Sequence, residues 1–135
     1  MSTQIFVNLP VKDLARSIGF FEKLGYSFNP QFTDDNAACL VIDDNVFAML
    51  LTEPFFATFT RKETADAHRT AEVIVALSAE TRERVDELVD SALAAGARQS
   101  KEPDDQGFMY ARGFEDLDGH LWEVIYMDMS AVQGQ

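Results

Sequence analysis

Glu123 is the residue whose type and surroundings point most directly to chemistry. It lies in the segment 120–127, which is predicted to be a strand because Val124 and Ile125 have high β-propensity. Side chains alternate along a strand, so Leu121, Glu123 and Ile125 are predicted to share one face. A carboxylate in an apolar row must be paired, protonated, bound to a cation or facing a wet cavity, because an isolated buried charge is very costly.

The residues before this strand predict a tight turn. Asp116 and Asp118 can form Asx turns, and Gly119 can take a positive φ. By the same alternation, His120 points away from Glu123, so we interpret it as a solvent-exposed or interface residue. His68 lies in a polar stretch with no partner at a regular spacing, and we place it on the surface.

The balance of charged residues argues against two classes of partner. Among 135 residues there are 11 Lys and Arg against 23 Asp and Glu, which gives a net charge of −12. Such a surface repels phosphate backbones and anionic membranes. We therefore expect no nucleic acid and no membrane as partners.

Cysteine usage and the first residues predict a cytoplasmic protein. Cys39 is the only cysteine, which excludes an internal disulfide and fits a reducing compartment. It lies in an apolar strand, where a small buried hydrophobe is the expected role. The opening residues lack a basic region followed by a long apolar run, and no stretch has the length of a membrane span.

The order of predicted elements occurs twice. The first half predicts a strand at 4–11, a helix capped by Asp13 and ended by Gly25, and strands at 26–32, 37–42 and 46–52. The second half predicts a strand at 72–78, a helix at 81–95 followed by Gly96, and further strands through Met127. Residues 53–71 are predicted to form a connector with a short helical piece, in which phenylalanines anchor the loop or cover a ligand.

This repeat predicts an α+β fold made of two modules. Module one spans 4–52, module two spans 72–128, and together they make one domain over residues 1–135. Each module has a half-covered sheet, so the two would bury their apolar faces by pairing and would curve around a shared cleft.

The repeated βαβββ pattern and its motifs resemble the vicinal oxygen chelate superfamily, which contains glyoxalases, bleomycin-resistance proteins and extradiol dioxygenases. The matching residues of the first half are Val11-Lys12-Asp13-Leu14, Phe20-Phe21 and Leu24-Gly25. Those of the second half are Asp116-Leu117-Asp118-Gly119-His120-Leu121-Trp122-Glu123. The run Gly107-Phe108-Met109-Tyr110 is similar to the branch labelled predicted lactoylglutathione lyase.

The resemblance implies positions for a metal site. In metal-dependent members, four side chains hold a divalent ion that binds two neighbouring substrate oxygens. Carried over by position, these ligands fall on Phe6, on or beside Leu50, on Glu72 and on Glu123. Two of these four side chains are hydrocarbon, so the two carboxylates would hold Mg²⁺ or Mn²⁺ only weakly. The identity of the metal stays open among Mg, Mn, Fe, Ni and Zn. Asn8 could add a carbonyl oxygen.

Three roles for the carboxylates stay open at this point. Glu72 and Glu123 hold a metal, or they face the same cleft without metal and one serves as a base, or Glu123 is the structural partner of a backbone amide or of Arg112. Met109 and Tyr110 belong to a strand that lines the cleft in this superfamily, so both are expected near a ligand.

Two functions of different class follow from the resemblance. The first is a glyoxalase-like lyase or isomerase, or a dioxygenase, acting on a small oxygenated or carbonyl compound. The second is a metal-free protein that binds and sequesters a small molecule, where an apolar cleft and a negative surface favour a cationic ligand. Whether the chain is an enzyme is left undecided. Exposed strand edges predict a homodimer in either case.

Overall fold

The chain divides into two units, Met1–Asp66 and Ala67–Gln135, each with its own sheet. The computed structural model describes residues 2–133. No helix in that range is both long enough and apolar enough to span a membrane.

The first unit contains a four-stranded mixed sheet. Its strands are β1 (Ile5–Val11), β2 (Ser27–Asn29), β3 (Ala37–Asp43) and β4 (Val46–Thr52), in the order β1-β4-β3-β2. β1 runs parallel to β4, while the other neighbours are antiparallel. Pro10 therefore lies on an edge strand, where its missing N–H costs no ladder bond.

Helix α1 (Leu14–Lys23) covers one face of this sheet. The Asp13 carboxylate accepts a hydrogen bond from the Arg16 backbone N–H at 3.1 Å, which caps the first turn. The helix buries Leu14, Ser17, Phe20 and Phe21. Gly25 follows with a φ of 99°, so the predicted start and end of this helix are both confirmed.

A short helical piece follows β4, as the connector prediction requires. Helix α2 (Glu53–Phe56) and a 3₁₀ turn at Ala57–Phe59 follow β4 directly. The predicted strand at 26–32 is shorter than expected, because Pro30 begins a 3₁₀ turn that ends β2 at Asn29.

The second unit repeats the order of the first. Its elements are β5 (Ile74–Ala79), α3 (Arg82–Ala94), β6 (Arg98–Gln99), β7 (Asp104–Asp105), β8 (Met109–Glu115), β9 (Leu121–Met127) and α4 (Met129–Gln133). The sheet order is β5-β9-β8-β6, with β7 also paired to β8, and β5 runs parallel to β9. Thr81 caps α3, and Gly96 follows the helix with a φ of 114°.

The predicted α+β class with two mixed sheets is therefore confirmed. The arrangement of the two modules around a shared cleft stays a prediction. The strand predicted at 72–78 begins at Ile74, which leaves Glu72 outside it.

Candidate functional site

Glu123 lies in the middle of β9 on the face of the sheet opposite α3. Its register partners are Ala76 in β5 and Gly113 in β8. Trp122 and Val124, which point the other way, are buried on the face that α3 covers. Alternation along the strand thus leaves Glu123 on the uncovered face, as its predicted position between Leu121 and Ile125 requires.

The Glu123 carboxylate is ion-paired with a lysine. Lys101 Nζ lies 2.9 Å from Glu123 Oε2, while the two side chains are 45% and 19% exposed, respectively. This pairing answers the requirement that a carboxylate in an apolar row have a partner. The structural role left open for Glu123 named a backbone amide or Arg112 as its partner, whereas the structure provides Lys101.

Gly113 makes room for Lys101 to reach Glu123. The residues after β6 pass over β8, and the Ser100 backbone N–H donates to the Gly113 carbonyl at 3.3 Å. A Cβ at position 113 would overlap Ser100 Oγ and would lie 3.8 Å from Lys101 Cε. The missing side chain therefore lets residues 100 and 101 cross the strand at the level of Glu123.

An apolar cavity of about 420 Å³ adjoins this ion pair within the second unit. Ala76, the register partner of Glu123, belongs to its lining, as does Ile125, two residues along β9 on the same face. The complete lining is Ala76, Leu77, Ser78, Ala79, Ile125, Met127 and Met129. The Ser78 hydroxyl is the one polar side chain in this set.

Glu72 does not lie beside Glu123. It is exposed and precedes β5, four residues before Ala76, the partner of Glu123. Four residues of extended chain span roughly 13 Å. The parallel register therefore does not bring the two carboxylates side by side.

Met109 and Tyr110 lie on opposite faces of β8. Met109 pairs with Met127, so it shares the face of Glu123. The Tyr110 hydroxyl instead donates to Asp86 Oδ1 of α3 at 2.7 Å, which places this ring on the helix side. Of the two expected ligand contacts, only Met109 is on the face of the cavity.

Tyr110 belongs to a charged network between α3 and β8. Arg112 donates to Asp86 and to Asp90, each at 2.9 Å, and Arg82 lies 4.5 Å above the Tyr110 ring while it pairs with Asp105. The Tyr110 hydroxyl, followed by Arg112, lowers the pKa of Asp86, and the same hydrogen bond raises the pKa of Tyr110. This network holds the helix on the sheet. It pairs Arg112 with Asp86 and Asp90 instead of with Glu123.

Three predicted residues lie in the first unit. The exposed Phe6 ring stacks on Phe47 with centroids 4.9 Å apart. Asn8 is on the same face, and its side-chain amide donates to the Phe6 carbonyl at 3.4 Å. Leu50 pairs with Leu9 on the opposite face and is 0% exposed, so it packs in the core of this unit.

The predicted turn before β9 is organised by Asp116. Asp116 Oδ1 accepts from the backbone N–H groups of Asp118 and His120, and Oδ2 accepts from Trp122 Nε1 at 2.9 Å. Burial raises the pKa of Asp116, while the nearby His120 and these hydrogen bonds act to lower it. The turn chemistry is confirmed, since Gly119 has a φ of 86°.

Gly119 also meets the backbone of His68. A Cβ at this position would lie 2.7 Å from the His68 nitrogen, so glycine is required both for its φ and for this close approach. His68 is exposed, as its polar surroundings predict.

The comparisons with known proteins agree with this architecture. Residues 3–43 match the family model described as bleomycin resistance protein-like N-terminal. The hypothetical protein SA1046 of S. aureus superposes with a TM-score of 0.78 at 29% identity, covering 93% of this chain and 95% of that one. A glyoxalase/bleomycin resistance protein/dioxygenase family enzyme of Burkholderia phytofirmans superposes with a TM-score of 0.77 at 19% identity, covering 93% and 99%. The chain has the vicinal oxygen chelate fold.

A further solved structure extends the same likeness. The fosfomycin resistance protein FosX of Listeria monocytogenes superposes with a TM-score of 0.66 at 21% identity, covering 93% of this chain and 91% of that one. No protein with a curated description is similar to the sequence at a significant level. The match over residues 3–43 and the likeness of fold agree with the superfamily that the sequence resembles, whereas the lactoylglutathione lyase branch stays a prediction.

The ligand set of the metal-dependent vicinal oxygen chelate proteins does not fit this chain. Phe6 and Leu50 have hydrocarbon side chains, Glu72 lies outside β5, and Glu123 is paired with Lys101. Within residues 2–133, no group of three or more His, Cys, Asp or Glu side chains is placed to hold a metal ion. The side chains at these four positions therefore do not form a set of oxygen ligands for a divalent ion.

Sequence reasoning missed Lys101 and Gly113. Lys101 lies in a stretch with neither helical nor strand periodicity, so nothing in the local pattern marks it. Gly113 did offer a signal, because a glycine inside a strand indicates a close approach of another backbone.

Proposed function

We propose that this protein binds a small molecule without a metal, as the bleomycin-resistance reading of the sequence predicts. The observation that carries the proposal is the 2.9 Å ion pair between Lys101 and Glu123. It gives Glu123, in the middle of the uncovered face, a cation from the chain itself. A divalent ion at Glu123 would have to displace Lys101 and find its other ligands elsewhere.

The cavity beside the ion pair supports binding of a mainly apolar ligand. Its volume of about 420 Å³ is within the range of small-molecule sites, about 300–1,000 Å³. Met127 and Met129 provide flexible, polarizable walls that adapt to ligands of different shape. Ser78, Lys101 and Glu123 are the polar groups that would orient the ligand.

The binding reading is favoured over the enzymatic one by the chemistry of the side chains. A glyoxalase-like or dioxygenase-like reaction in this superfamily needs a metal to polarise substrate oxygens. The Glu123 carboxylate is instead neutralised by Lys101. The family model that matches residues 3–43 is described as bleomycin resistance protein-like N-terminal, which supports a role in sequestering a small molecule.

Assembly as a homodimer remains part of the proposal. β1 and β5 each pair with a single neighbouring strand among residues 2–133. Ile5 and Ile74 on these strands are 54% and 58% exposed. Open strand edges with apolar side chains favour pairing with a second copy of the chain.

A fragment screen tests the proposed function. Small apolar and aromatic compounds are added to the full chain, and binding is measured by ligand-observed NMR with and without EDTA. We expect hits whose affinity EDTA does not change. Ala76→Leu, which fills part of the cavity, should weaken them about tenfold.

The matched control is Ala65→Leu, an exposed alanine of the first unit outside the cavity lining. It should leave the hits unchanged. Hits that bind Ala76→Leu as well as the unchanged chain, or that are lost in EDTA, would contradict the proposal.

A further inference from the structure

The two partners of the ion pair depend on it to different degrees. Glu123 is 19% exposed and has apolar neighbours on its strand face, so it needs a cation close by. Lys101 is 45% exposed and could extend into water with its charge hydrated. The carboxylate requires a positive partner, whereas the ammonium does not require this carboxylate.

The backbone places the Lys101 side chain over the surface of the sheet, where it covers Glu123 without being packed into the core. It lies between β6, a strand of two residues, and β7, another of two residues. Its Cε passes over the space above Gly113, and the bond from Ser100 to the Gly113 carbonyl holds the chain beside it. The side chain therefore reaches Glu123 over an open strand surface and can leave it without moving a packed core residue.

Two residues of the cavity lining are neighbours of Glu123. Ala76 lines the cavity and is directly opposite Glu123 in the parallel register, while Ile125 is its neighbour on the same face. A ligand whose apolar body fills the cavity would carry its polar end to Glu123. The net charge of −12 favours a positive end over a negative one.

We propose that Glu123 is a binding site for an organic ammonium group, and that Lys101 is its resident occupant, which the ligand displaces. This inference rests on the proposed function and adds the class of ligand: an amine with an apolar body. On binding, the ligand ammonium takes the place of Lys101 at the carboxylate. The Lys101 ammonium is then released to solvent.

The test compares three probes of one shape and different charge. They are 2-phenylethylamine, 2-phenylethanol and 3-phenylpropionate, each titrated into the full chain at neutral pH by calorimetry. We expect the amine to bind about tenfold more tightly than the alcohol, and the carboxylate to bind most weakly. Glu123→Gln should remove the preference for the amine.

Lys101→Met gives the sharper result. With the competing ammonium removed, the amine should bind several-fold more tightly than to the unchanged chain, and the alcohol should bind equally to both. Lys62→Met, which removes an exposed lysine of the first unit, is the matched control and should change neither probe.

A measurement on the unchanged chain avoids dependence on variant folding. NMR of the lysine side-chain ammonium groups, with the Lys101 signal assigned by its loss in Lys101→Met, should show that signal move when the amine is added. A Lys101 signal that stays in place at saturation with the amine would overturn displacement.

The remaining outcomes separate the two proposals. If the carboxylate probe binds best and Lys101→Met abolishes it, Lys101 is an anion site and the inference fails while small-molecule binding stands. Equal affinity for all three probes would likewise overturn the inference and leave small-molecule binding standing. If no probe and no fragment binds any variant, the proposed function fails as well.

Discussion

At the scale of single residues, Glu123 and Asp116 of the second unit have partners of different kinds. Glu123 is neutralised by a lysine, whereas Asp116 is buried and satisfied by hydrogen bonds from Trp122 and from two backbone N–H groups. Both follow from the cost of an unpartnered polar group in an apolar setting. Asp116 is thus a structural residue, whereas Glu123 is the carboxylate that we propose as a ligand site.

Replacement of Asp116 tests this division. Asp116→Ala leaves the buried Trp122 N–H without its acceptor and frees two turn N–H groups, so the free energy of unfolding should fall by about 3 kcal/mol. Asp35→Ala, in an exposed turn of the first unit, should change it by less than about 0.5 kcal/mol. Urea denaturation of the three proteins checks this, and similar losses in both variants would contradict the role given to Asp116.

The sequence could predict that Glu123 has a partner, but not which one. Alternation along β8 places Arg112 on the side of α3, because its register partner is Val124 while that of Glu123 is Gly113. The actual partner is 22 positions away, in a loop whose path depends on tertiary packing. Leu50 and Tyr110 were also expected near a ligand, but each lies on the other face of its strand. A shift of one residue in a strand is enough to move a side chain to the other face.

At the scale of elements, glycines decide where the chain crosses a strand. Gly113 lies inside β8, beneath the residues that follow β6. Gly19 lies inside α1, with no atom within 4 Å of the position that a Cβ would take. The same substitution should therefore have opposite effects at these two positions.

We expect Gly113→Ala to destabilise the protein by about 1–3 kcal/mol, because its Cβ overlaps Ser100 Oγ and approaches the Trp122 carbonyl to 3.3 Å. Gly19→Ala should stabilise it by about 0.5–1 kcal/mol, through the helix propensity of alanine. Thermal unfolding of both variants gives the comparison. The double change Ser100→Ala with Gly113→Ala should recover part of the loss, and a Gly113→Ala protein as stable as the unchanged chain would refute the crossing.

The long elements were predictable because their patterns are local. Asp13 and Thr81 cap α1 and α3, and Gly25 and Gly96 follow them with positive φ, all signals present in the sequence. The bounds of β6 and β7 were not predicted, because strands of two residues have no period to recognise and depend on pairing with β8.

At the scale of the whole molecule, the same order of strand, helix and further strands occurs in both units. The motifs that organise the turn and the helix ends of the vicinal oxygen chelate fold are present. The side chains at the expected metal positions are a phenylalanine, a buried leucine, an exposed glutamate and a glutamate paired with lysine. Fold alone does not decide activity, so these side chains carry the functional conclusion.

We propose that Lys101, rather than a metal ion, is the cationic partner of Glu123. The most direct measurement is calorimetric titration of Mn²⁺, Ni²⁺ and Zn²⁺ into metal-stripped protein, with Glu123→Gln as the partner variant and circular dichroism to verify its fold. We expect no saturable binding up to millimolar metal, with the same traces for both proteins. Stoichiometric binding of any of these ions that is lost in Glu123→Gln would contradict it.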